Sequence, residues 1–181
     1  MLIGIHKIRV LVVLLAVIGK LEVQAQDTNP QPVLWNNPIG GSKSDVLSSA
    51  VECRDYGLLL AGSSTSGISG SKTETNFGGS DFWLVKLDVY GHKTWDRTFG
   101  GTNEDGASIV IPSGDDSFLV GGNTSSGVSG NKTSVNFGSN DVWIVKIDSS
   151  GNKLWEKSFG GARDDSLSAI IATSDNGLLL C

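Results

Sequence analysis

The chain predicts an all-β fold of tandem, β-propeller-like blades, each built from four short antiparallel strands, with about two and a half blades present. Three observations predict it. Trp35, Trp95 and Trp155 recur 60 residues apart, and each is followed at fixed offsets by a Gly-Gly (Gly40-Gly41, Gly100-Gly101, Gly160-Gly161) and an Asp (Asp45, Asp105, Asp165). Aligned without a gap, 35–94 and 95–154 agree at 24 of 60 positions, so the fold is read per repeat. The 24 glycines, with abundant Ser, Asn and Asp and no helical apolar periodicity after residue 30, indicate short strands and tight turns.

The elements follow in chain order. His6, Lys7 and Arg9 form a basic start, Val10–Ile18 an apolar stretch, and Val23-Gln24-Ala25 a small-residue cleavage site, so 1–25 reads as a secretory signal peptide. Nine apolar residues are too few to span roughly 30 Å of hydrocarbon, which leaves no membrane insertion after cleavage. Residues 26–34, with Pro30 and Pro32, read as an extended leader. Repeat one then covers 35–94, repeat two 95–154, and a partial third copy 155–181.

Within repeat two, Ala107–Ser113 is a β-branched run and Phe118–Gly122 a continuous apolar one; they predict strands one and two, joined by a turn at 114–117. Asp141–Asp148 predicts strand three. Trp143, Val145 and Ile147 fall on one face and Val142, Ile144 and Lys146 on the other; both are largely apolar, so both faces are expected to be buried. The turn at 149–152 leads to strand four, Lys153–Phe159, whose charged positions suit an edge. Trp83 and Trp143 occupy equivalent places in strand three, and burial of the recurring aromatics between neighbouring blades is expected to hold the array together. The third copy carries strands one and two without strand three, which predicts unpaired edges and association of the 26–181 segment.

Gly57-Leu58-Leu59-Leu60-Ala61-Gly62, then Asp81-Phe82-Trp83-Leu84-Val85-Lys86-Leu87-Asp88, Gly91-His92-Lys93 and Trp95, then Phe99-Gly100-Gly101, resemble the repeat of secreted bacterial β-propeller proteins with units of this length, common in Bacteroidetes. The resemblance covers 35–181. It implies a secreted or surface protein, often one ending in a type IX secretion sorting domain; kelch and quinoprotein blades are similar more loosely.

Chemistry is thinner. Removing Lys7, Arg9, Lys20 and Glu22 with the signal leaves 11 basic and 18 acidic side chains, a net of −7, which disfavours nucleic acid as a partner. Cys53 and Cys181 occupy different repeat positions, so no disulfide framework is expected. His92 is the one histidine outside the signal, and copy two has Asn152 in its place; a Ser-His-Asp set or a histidine metal cluster therefore lacks its members. Glu52, Glu74, Glu104 and Asp116 are the acids available to a paired-carboxylate hydrolase.

The Gly-Gly-x-x-x-Asp stretches resemble nonapeptide calcium repeats but carry Lys43, Asn103 or Arg163 where those need Gly. Asp45, Asp105 and Asp165 are expected to accept backbone N–H bonds in the turns instead. The long 63–80 and 123–140 loops should share one end of the sheets with these connections, with Phe77 and Phe137 pinning them, and this end is the candidate binding face. Asn123-Thr124-Ser125 and Asn131-Lys132-Thr133 match glycosylation acceptors. The leading expectation is an exported, non-catalytic scaffold that binds a glycan or protein and needs no cofactor. The alternatives are the propeller of a secreted quinoprotein or carbohydrate-active enzyme whose catalytic residues lie in other blades, and a truncated product without activity.

Overall fold

The computed structural model describes residues 36–181 apart from Asp115 and Asn176. The signal segment, the leader and Trp35 lie outside the described residues.

The described residues form an all-β structure without a helix. Strands β1 (Asp45–Glu52), β2 (Leu58–Ser64), β3 (Asp81–Leu87) and β4 (Lys93–Phe99) make one antiparallel sheet in that order. Strands β5 (Asp105–Pro112), β6 (Phe118–Thr124), β7 (Asp141–Ile147) and β8 (Lys153–Phe159) make a second, and β9 (Ile170–Ala172) pairs with β10 (Leu178–Leu180) in a third. The sheets follow one another as separate open units. Strand four of repeat two has the expected bounds. Strand one begins two residues earlier, at Asp105, and strand two runs two residues further, to Thr124, because side-chain hydrogen bonds described below hold those ends in register.

Each first strand carries a bulge, between Leu47 and Ser49 in β1 and between Ala107 and Ile109 in β5. The facing strand meets it with a glycine. A Cβ at Gly122 would stand 2.0 Å from the Gly106 carbonyl oxygen, and one at Gly62 1.8 Å from that of Val46, so no side chain fits there.

The sheets pack face to face in series. Leu59, Ala61, Phe82 and Leu84 of the first sheet meet Val110, Val120, Trp143, Val145 and Ile147 of the second in one apolar core. Phe82 and Trp143 lie with ring centroids 4.8 Å apart. The other face of the second sheet, Leu119, Val142 and Ile144, packs on Leu167 and Ile170 of the third copy. Strands β3 and β7 are thus covered on both faces, as their apolar alternation requires. Residues 36–39 lie by the first sheet as the end of β4 lies by the second: Ile39 packs with Trp83, Val85 and Leu87, and Asn37 Nδ2 donates to the Gly91 carbonyl at 3.0 Å.

Equivalent aromatics do not share one environment. Trp83 and Trp143 are both buried, but Trp155 in edge strand β8 is 40 % exposed where its equivalent Trp95 is not. Trp95, in β4, is half-buried against the Gly151 turn of the next sheet, with the Arg97 guanidinium 5.5 Å from its ring. Replacing Trp143 by Ala should cost about 3–5 kcal/mol of unfolding free energy, and replacing Trp155 by Ala less than about 1 kcal/mol. Urea unfolding of the two variants checks the difference.

Candidate functional site

The long loops and the Gly-Gly connections do share one end of the sheets, and a repeated polar network joins them. Asp45 opens β1, buried, and its carboxylate accepts Gly41 N–H at 2.7 Å, Ser64 Oγ at 2.5 Å and Ser66 Oγ at 3.4 Å. Asp105 repeats the pattern with Gly101 N–H at 2.7 Å, Ser126 Oγ at 2.8 Å and the Thr124 hydroxyl. Asp165 accepts Gly161 N–H at 2.7 Å. These aspartates are the turn acceptors expected from the sequence. The second glycine of the first two pairs exists because the loop lies on it: a Cβ at Gly41 would stand 2.4 Å from Ser66 Cβ, and one at Gly101 2.4 Å from Ser129 Oγ. Further bonds run from Lys43 N–H to Ser66 Oγ and from Asn103 N–H to Ser126 Oγ, at 2.9 and 3.0 Å.

The lysine of the repeated Ser-Gly-x-Lys-Thr is a buried pin that sequence reading did not single out. Lys72 and Lys132 are each 1 % exposed, with Nζ 5.6 Å from the Trp83 and Trp143 ring centroids respectively. Burial pushes both ammonium groups below their ordinary pKa. Lys72 donates to the Thr98 hydroxyl and Lys132 to the Ser134 carbonyl at 2.6 Å. The recurrence of Lys72 and Lys132 at one offset was the available signal.

Beneath the first loop, Asp96 of β4 accepts Thr73 N–H at 2.9 Å, Trp83 Nε1–H at 3.0 Å and Lys93 Nζ at 2.6 Å, together with the Thr73 hydroxyl. Burial opposes its charge, but the bonds from Lys93, Thr73 and Trp83 outweigh it and hold the carboxyl down at about 2. Copy two has Glu156 here. It binds Lys153 Nζ at 2.5 Å and the N–H groups of Thr133 and Ser134 at 2.5 and 2.6 Å, and leaves Trp143 Nε1 buried without a hydrogen-bond partner.

The remaining candidates are not gathered into one site. Glu74 and Glu104 lie at the loop end, on Arg97 at 3.6 Å and on Ser80 N–H at 2.9 Å, whereas Glu52 and Asp116 lie at the short-turn end. His92 does the work of Asn152: its N–H meets Asp88 Oδ1 at 2.9 Å and its ring nitrogen Asp88 Oδ2 at 3.2 Å, as Asn152 Nδ2 meets Asp148 Oδ2 at 2.8 Å. Cys53 is a buried free thiol whose pKa burial raises, and Cys181 is free and exposed. Both glycosylation patterns have their amides engaged inside the protein: Asn123 Nδ2 donates to the Asp165 carbonyl at 2.7 Å, and Asn131 Nδ2 to that of Thr98 at 2.8 Å. Phe77 is half-buried under Gly130, whereas Phe137 is 54 % exposed. Its loop is not covered as Phe77 is, because the cover comes from the following copy's loop. Among the described residues no group of three or more His, Cys, Asp or Glu is placed to hold a metal ion.

No family model and no curated protein matches the chain.

Two outcomes test the network. The Asp96 carboxyl lies below its unfolded value near 3.9, so it contributes roughly 2 kcal/mol of stability at neutral pH that is lost as pH falls from about 5 toward 2. Asp96→Asn should accordingly destabilise the protein by about that amount at pH 7 and by much less near pH 2, in urea unfolding at both. Glu156→Asp places a carboxylate where Asp96 stands in copy one. It should satisfy Trp143 Nε1 and raise unfolding free energy by about 1 kcal/mol, seen as a higher thermal midpoint.

Proposed function

We propose that the protein is an exported, non-catalytic binding scaffold whose four-stranded sheets are successive blades of a propeller-like array, and that it engages a glycan or protein through its loop end. One observation carries the reading of this end. Many polar groups of the two long loops are engaged in internal hydrogen bonds, while each apex leaves a β-branched apolar residue outside: Ile68 is 71 % exposed and Val128 63 %. The two sit at the same offset of consecutive repeats, on rigidly held loops at one end of the sheets. A scaffold that presents identical contacts at a fixed spacing suits a repetitive ligand. Serial face-to-face packing of four-stranded sheets supports the blade reading. The signal-like N-terminus and the resemblance to secreted bacterial repeat proteins support export to the cell surface or medium.

Binding of the labelled chain to a glycan array and to the surface of the producing cells tests this. Ile68→Ser and Val128→Ser should each leave unfolding free energy within about 0.5 kcal/mol of the parent, because neither side chain is buried, and the double variant should lose binding at least tenfold. Binding unaffected by the double variant, or no binding to either target, would overturn the assignment of the loop end.

A further inference from the structure

Where the first copy hands over to the second, two buried carboxylates meet at the backbone of Gly100. A Cβ there would stand 1.9 Å from Asp81 Oδ1 and 2.9 Å from Asp105 Oδ2. Both aspartates are wholly buried, yet they are not served alike. Asp105 has donors on both oxygens: Thr124 on Oδ1, Gly101 N–H and Ser126 on Oδ2. Asp81 accepts Phe77 N–H on Oδ2 at 2.6 Å, while its Oδ1 is buried without a hydrogen-bond partner.

The charged groups around the pair do not compensate. Lys72 acts on Asp81 and Lys132 on Asp105, but their ammonium groups are bonded to Thr98 and to the Ser134 carbonyl. Glu104, whose Oε2 accepts Ser80 N–H at 2.9 Å, adds a further negative charge beside this segment. An ionised Asp81 would place a second buried charge against Asp105 with one oxygen unsolvated, a costly arrangement that a proton removes.

We propose that Asp81 carries a proton in mildly acidic solution and serves as a pH-sensitive latch between the first two copies, its ionisation loosening the handover. Burial pushes its carboxyl up to about 7, with help from the Asp105 charge and against the Phe77 and Gly78 N–H groups and the Lys72 charge. The arrangement recurs at the next handover. A Cβ at Gly160 would stand 2.0 Å from Asp141 Oδ1 and 2.9 Å from Asp165 Oδ2, and Asp141 Oδ1 is likewise buried and unpartnered.

A carboxyl that titrates higher in the folded chain than in the unfolded one stabilises the fold fully below the unfolded value, and the contribution is lost as pH rises to the folded value. The unfolding equilibrium constant of the 181-residue chain should therefore climb by up to roughly tenfold per pH unit between about pH 5 and 7, then level off. In Asp81→Asn this climb should become markedly shallower, what remains belonging to Asp105, whose carboxyl burial also raises. Should that variant fail to fold, infrared spectroscopy of the unaltered chain gives a second reading: a protonated-carboxyl band present at pH 6 and gone at pH 8.5. A flat stability profile in the unaltered chain, a climb undiminished in Asp81→Asn, or the absence of a titrating carboxyl band would each overturn the proposal. So would a stability gain from millimolar calcium that Asp81→Asn abolishes, since it would put a metal ion where the proton is assigned.

Discussion

The structure depends on one apolar contact, repeated: the face of each four-stranded sheet against the opposite face of the next. No sheet here covers itself. The strands are seven or eight residues long, and β3 and β7 are apolar on both sides, so a single copy in water would expose as much apolar surface as it hid. Phe82 and Trp143, with Leu59, Leu84, Val120 and Val145 around them, convert two such copies into one core. The pattern is translational: a Trp of one copy's third strand receives the Phe82 position of the copy before. Folding of one repeat is therefore conditional on its neighbour, and the polar features of the chain serve that condition.

Those polar features are costly unless matched, and the chain matches them with short side chains at fixed offsets. Asp45 and Asp105 each gather a glycine N–H, the hydroxyl that ends the second strand and a serine from the long loop. One carboxylate thus ties the connection between copies, the sheet edge and the loop. Lys72 and Lys132 close the loops from inside against Trp rings, exchanging hydration for contact with π faces and neighbouring carboxylates. Where the second copy departs from the first, the accounting changes visibly. Glu156 reaches further along the loop than Asp96 does and abandons the indole N–H that Asp96 satisfies.

The strands and their order were legible because they are written in period-two alternation and turn residues, which are local. Strand four of copy two, with Lys153, Glu156 and Lys157 between two turns, could be bounded from sequence alone. Local signals failed where a boundary depends on a remote partner. β5 begins at Asp105 rather than Ala107 because that aspartate is held by Thr124, at the end of β6. The turn role of Asp45, Asp105 and Asp165 was legible from residue type, whereas the buried state of Lys72 and Lys132 was not, since lysine in a Ser- and Gly-rich loop reads as solvated. Asp81 was invisible for the same reason: nothing in its neighbourhood reveals that Gly100 and Asp105, from the next copy, will close over it.

Sequence symmetry also overstates structural symmetry. Trp95 and Trp155 are the same residue at the same offset, yet Gly151 packs on the first while the second stands at an edge. Phe77 is half-buried beneath Gly130 and Phe137 is open. In each case the cover comes from the following copy, so a position's burial is set by what comes 60 residues later rather than by its own surroundings. The exposed loop apices are different in kind. Ile68 and Val128 are open in both copies, with the neighbouring loop already present beside the first, so their exposure is a property of the repeat itself and not of its place in the series. That distinction separates surface left by the array's geometry from surface each copy builds, and it is the second kind on which the proposed binding role rests.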